Sequence, residues 1–126
     1  MKVLVDTSVW VGHFKQRDQR LGVLLEAGMV VCHPHVVAEL ACGTPPKRRA
    51  LIDMLTALEN ATVATQQEIL QLIERRALYG RGCGFVDVSL LASALLGDQT
   101  LIWTLDKRFE AVAAELRRAY RPALQT

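Results

Sequence analysis

Between Phe85 and Gly97 the chain carries a single charged residue, Asp87, among Val, Leu, Ala and Ser. A helix over Phe85–Leu96 is apolar on almost every side, and such a helix is normally buried. The chain must therefore supply other elements to wrap it. Its 126 residues suffice: a domain of this size buries about two-thirds of the surface its unfolded form exposes and needs no disulfide or zinc staple. One domain over residues 1–126 is the expectation.

The wrapping elements are read from short apolar runs that alternate with helical patterns. Lys2–Val5, Met29–Cys32 and Leu101–Thr104 read as buried strands, and Ala61–Ala64 as a weaker one. Helices are expected over Gln19–Ala27, Pro34–Cys42, a segment opened by Thr44 with Pro45-Pro46 in its first turn, Gln66–Tyr79, Phe85–Leu96 and Lys107–Ala119. Strands alternating with helices predict an α/β fold: a mostly parallel sheet of four to five strands between helical layers. In such folds ligands bind beyond the C-terminal strand ends. Asp6 and Asp106 follow the two clearest strands and should point into that crevice.

Bulk composition excludes several classes. Fifteen Lys plus Arg against thirteen Asp plus Glu give a net charge of +2, neither a basic nucleic-acid wrapper nor an acidic tail. Hydrophobic residues at 51% argue against a disordered chain. Cys32, Cys42 and Cys83 lack the spacing of a disulfide framework, so reduced thiols are expected. Val3-Leu4-Val5 is too short for a signal-peptide core, and no apolar run approaches the ~18 residues of a membrane span. A cytoplasmic protein with no membrane association is the expectation.

Asp87 is one of four carboxylates in apolar surroundings. Asp6 closes Val3-Leu4-Val5, Glu39 is the one charge between Val36 and Cys42, and Asp106 follows Leu101-Ile102-Trp103-Thr104-Leu105. Each has a local explanation: Asp6 and Asp106 as helix caps, Asp87 as a first-turn acid, Glu39 as the partner of an Arg. Their recurrence argues for convergence instead. Two charges ~4 Å apart interact by about 4 kcal/mol at an effective dielectric of ~20. No Lys or Arg inside these runs offsets that repulsion. A divalent cation does, and an all-oxygen donor set suits Mg²⁺ or Mn²⁺. A carboxylate-held metal with bound water is equipment for phosphodiester hydrolysis.

Asp6-Thr7-Ser8-Val9-Trp10 after a first strand resembles the opening of a PIN domain. Val36-Val37-Ala38-Glu39-Leu40, Phe85-Val86-Asp87 and Trp103-Thr104-Leu105-Asp106-Lys107-Arg108-Phe109 resemble the family's three further acidic motifs, in order. Order, spacing and length are similar to the VapC-type toxins of toxin–antitoxin pairs across nearly the whole chain. The resemblance implies a PIN-like three-layer α/β/α sandwich and a metal-dependent endoribonuclease inhibited by a cognate antitoxin. It makes Asp6, Glu39, Asp87 and Asp106 the catalytic, metal-holding cluster, with the Thr7, Ser8 and Thr104 hydroxyls placed to orient metal-bound water. Lys107 and Arg108, beside Asp106, are candidate contacts to RNA phosphates. Apolar residues on the early helices are candidates for an antitoxin groove or a homodimer face, and a homodimer is expected.

Other readings compete. A catalytically silent PIN-like module would keep the acids for structure and bind a protein partner. A phosphoacceptor receiver domain also places an Asp after its first strand, but normally adds adjacent acids and an Asp ending a central strand, which Thr7 and Ala61–Ala64 do not supply. Gly80-Arg81-Gly82-Cys83-Gly84 follows a helix and lacks the Lys-Ser/Thr of a phosphate-binding loop. Cys32-His33-Pro34-His35 has no partner pair at zinc-finger spacing.

Overall fold

The computed structural model describes residues 1–122. Its elements run β1 (Lys2–Val5), α1 (Thr7–Lys15), α2 (Gln19–Glu26), β2 (Val30–Cys32), α3 (Pro34–Cys42), α4 (Arg48–Ala57), β3 (Glu59–Asn60), α5 (Gln66–Arg76), α6 (Phe85–Leu96), β4 (Thr100–Trp103) and α7 (Lys107–Glu115). The sheet has the order β3-β2-β1-β4, and every pairing is parallel. Parallel neighbours need crossover connections, which the helices supply. The result is the expected three-layer α/β/α architecture. No helix among the described residues is long and apolar enough to cross a membrane.

β1 lies between β2 and β4, and Val3, Leu4 and Val5 are fully buried. From β1 the chain builds outward to β2 and β3, then returns to place β4 on the other side. The C-terminal ends of β1 and β4 therefore flank a topological switch point, where open α/β sheets form their ligand crevice. Asp6 sits there: its backbone N–H donates to the Trp103 carbonyl at 2.9 Å, extending the β1–β4 ladder by one rung.

The apolar helix α6 is buried as its composition requires, with Val88 through Ala94 inside. It packs on β4 and α5, while α3 packs on α1 and α4. Trp10 and Trp103 are core residues, and Phe14 packs partly buried against the core.

Several boundaries differ from expectation. The third strand is Glu59–Asn60, before Ala61–Ala64. It is short and exposed and is held by pairing with Val31 and Cys32, so it carries no apolar signature. Helix α4 starts at Arg48 rather than at Thr44, because Lys47 before it adopts a left-handed backbone with φ 50°. Helix α5 ends at Arg76 because Ala77, also left-handed at φ 50°, breaks it before Tyr79. Helix α7 ends at Glu115 rather than Ala119. Arg117 turns back at φ 60°, and the chain runs beside β4 through a single parallel bridge between Ala119 and Ile102. That bridge is all there is of a fifth strand among the described residues; residues 123–126, part of the tail Arg121–Thr126, lie outside them.

Leu90 in α6 is fully buried. Leu90→Ala should lower unfolding free energy by about 2–5 kcal/mol through lost transfer energy and a residual cavity. Urea titration followed by circular dichroism checks this. A loss below about 1 kcal/mol would mean that α6 is not packed as described.

Candidate active site

Each acid is brought to the crevice by a different element. Asp6 leaves the end of β1 and is 93% buried, being 7% exposed. It is the N-cap residue of α1, yet its side chain makes no cap bond. Its Oδ2 instead accepts from Ser8 Oγ at 2.8 Å and from Thr104 Oγ1 at 2.7 Å. The local explanation of Asp6 as a cap thus fails. Ser8 Oγ in turn accepts from the Leu105 backbone N–H at 3.0 Å, and Thr104 Oγ1 from the Asp106 N–H at 3.0 Å. With both hydroxyl protons directed at Asp6, the segment after β4 is tied to the segment after β1.

Glu39 lies on α3 and is exposed. Its Oε1 accepts from Thr7 Oγ1 at 2.7 Å, which links α3 to the first residue of α1. Asp106 is both cap and site residue: it accepts from the Arg108 and Phe109 backbone N–H groups at the start of α7. Asp87 stands in the first turn of α6, half-buried, with the Gly84 N–H donating to its Oδ2 at 3.3 Å. No ion pair among the described residues involves any of these four acids, so Glu39 has no arginine partner.

The four share one electrostatic environment. Asp87 is pushed up to about 6, first by burial and then by the charges of Asp6, Asp106 and Glu39; the Gly84 N–H opposes the rise. The Cys83 thiol is also raised, by burial and then by Asp87 and Asp106. An uncompensated negative crevice fits a divalent cation in donor chemistry. Among the described residues, however, no three His, Cys, Asp or Glu side chains are grouped closely enough to hold an ion by themselves. The set suits an ion such as Mg²⁺, which takes one or two carboxylates and keeps several waters.

Lys107 and Arg108 are exposed at the start of α7. Arg108 lies across Gly82, where an added Cβ would stand 2.6 Å from Arg108 Cδ, and Gly82 itself needs φ +84°. The glycine-rich loop is thus a seat for a cationic side chain at the crevice edge.

The PIN domain family model matches residues 3–115. The chain belongs to the PIN domain family. Two curated relatives, both called ribonuclease VapC32, come from Mycobacterium tuberculosis strains CDC 1551 / Oshkosh and ATCC 25618 / H37Rv. Each is 45% identical over 113 residues, covering 90% of this chain and 91% of the relative. The PIN-domain chain is therefore of VapC type along nearly its whole length. Two residues that the sequence reading passed over belong beside the site: His33 and His35, set aside with the zinc question. His33 caps α3 by accepting the His35 N–H on Nδ1 at 3.0 Å, and its Nε2 meets Ser93 Oγ of α6 at 3.1 Å. It braces the helix of Glu39 against the helix of Asp87.

The raised Asp87 makes a signed prediction for the metal-free protein. Its carboxyl is near the ordinary 3.8 when unfolded and about 6 when folded, so below about pH 4 it costs nothing and above about pH 6 it destabilises the fold. The melting temperature of Asp87→Asn minus that of wild type should become more positive from pH 4 to pH 7. A difference that stays constant across this range in thermal melts with EDTA would contradict the raised Asp87 carboxyl.

Proposed function

We propose that this PIN-domain protein is a Mg²⁺-dependent endoribonuclease, the toxin of a toxin–antitoxin pair, with Mn²⁺ as an alternative ion. The observation that carries the reading is that four carboxylates without ion-pair partners lie in one another's field at the switch point, Asp87 being raised first by burial and then by the charges of Asp6, Asp106 and Glu39. The names of the 45%-identical relatives support it.

Asp6, Glu39, Asp87 and Asp106 would hold the divalent ion, which would supply an activated water and charge stabilisation at the leaving oxygen. Asp6 and Asp87 are assigned as direct ligands. Ser8 and Thr104 fix the Asp6 carboxylate through Oδ2, so Asp6 does not have to reorganise when it binds charge. Glu39 or Asp106 would reach the ion through water or serve as the base that takes the attacking water's proton. Thr7 holds Glu39 in position by its hydroxyl. Lys107 and Arg108 are assigned to the phosphates flanking the cut, where their charge offsets the repulsion between RNA and the acids.

A cognate antitoxin would occupy the apolar groove of about 330 Å³ that Val11, Phe14, Leu40 and Pro45 line beside Thr7 and Glu39. Occupied there, it would obstruct the crevice directly. A homodimer and a cytoplasmic location complete the proposal.

A panel of single-stranded RNAs tests the chemistry. Wild type with Mg²⁺ should leave 5′-phosphate and 3′-hydroxyl ends, EDTA should stop the reaction, and Asp6→Ala should abolish it. A 2′,3′-cyclic phosphate end would contradict the mechanism, because the RNA's own 2′-hydroxyl would then be the nucleophile. Cleavage equal in wild type and Asp6→Ala, or absent from both, would favour the silent binding module.

A further inference from the structure

Phe85 opens α6 with half its surface in solvent, at 50% exposure, although the body of that helix is buried. Its ring centroid lies 5.7 Å from that of His35 on α3, with the planes tilted by 35°. His35 meets His33 edge-on at 4.9 Å and 73°. His33 is buried and hydrogen-bonded through both ring nitrogens, and burial together with the neighbouring His35 depresses it to about 4, so it stays neutral. Three rings thus form a row from the core to the surface, anchored at its inner end.

The row ends on the first turns of α3 and α6, the helices that carry Glu39 and Asp87. His35 precedes Glu39 by four residues, so the two share a face of α3 about 6 Å apart along the axis. Phe85 and Asp87 both belong to the first turn of the facing helix α6. No function described above uses either ring. An aromatic pair that packs on a fixed base, exposes its outer member and stands on the first turns of the two helices that carry Glu39 and Asp87 has the form of a stacking platform. Recognition of unpaired RNA works this way, with bases splayed onto aromatic and histidine rings.

We propose that Phe85 and His35 form a platform on which one unpaired base of the RNA, next to the cut, stacks. The proposal deepens the ribonuclease reading and rests on it. It assigns Phe85 and His35 to substrate binding, and it makes the enzyme select for a single-stranded cleavage site, because a paired base cannot reach the rings.

The test uses the full chain and a short single-stranded RNA that wild type cuts, intact or with one abasic nucleotide moved through the positions around the cut. Phe85→Ala should raise KM about ten-fold or more, in line with the strength of base–aromatic stacking, with kcat within about two-fold. Phe85→Trp should restore KM. One abasic position should weaken wild type by a similar factor and have no further effect on Phe85→Ala. A melting temperature of Phe85→Ala equal to wild type excludes a folding defect. The proposal is overturned if Phe85→Ala keeps the wild-type KM, if its loss adds fully to that of every abasic position, or if it instead releases a bound protein partner while RNA cleavage is unchanged. Failure of wild type to cut any RNA removes the ribonuclease reading itself, a result distinct from all three.

Discussion

Asp6 Oδ2 accepts two hydroxyl protons, from Ser8 and Thr104, and the site depends on that junction. A buried carboxylate is costly unless hydrogen bonds or charge compensate it. Here the compensation comes from residues that follow β1 and β4, so stabilising the acid also joins the two strand ends that frame the crevice. The hydroxyls carry no charge, however. They keep Asp6 in place while leaving its negative field intact. Thr7 does the same for Glu39. A lysine or arginine at these positions would neutralise the pocket; threonine and serine leave its charge in place, as the proposed cation requires.

The fold surrounds this arrangement for equally direct reasons. Placing β1 between β2 and β4 puts the first acid of the chain at the centre of the sheet. The apolar α6 then packs against β4 and carries Asp87 in its first turn, where the helix dipole favours a negative charge but burial disfavours it. His33 fixes the distance between α3 and α6 with a neutral, doubly bonded ring. A charged side chain in its place would add to the electrostatics that the site must control.

Much of this is legible in the amino-acid sequence. Val3-Leu4-Val5 and Leu101-Ile102-Trp103 announce β1 and β4 because continuous apolar runs belong to strands covered on both faces. The acids stand out for the same reason: a lone charge in an apolar run contrasts with its neighbours. What escapes is held by partners rather than by local pattern. Glu59–Asn60 is a strand through its pairing with β2 alone. Lys47, Ala77 and Arg117 end or delay helices in left-handed conformations that are uncommon outside glycine. The ring row from His33 through His35 to Phe85 joins residues about fifty positions apart, and periodicity carries no information at that range. The committed hydroxyls of Thr7, Ser8 and Thr104 are adjacent to acids in sequence, yet their direction becomes visible from the crossings between elements.

The central claim is that four carboxylates from separate parts of the chain act on one another in a single crevice. Carboxyl-carbon NMR titration of the metal-free protein tests it most directly. The Asp87 side chain should titrate near pH 6, and its midpoint should fall in Asp6→Asn and in Asp106→Asn as each neighbouring charge is removed. A wild-type midpoint near 3.8, or one that neither substitution moves, would contradict it.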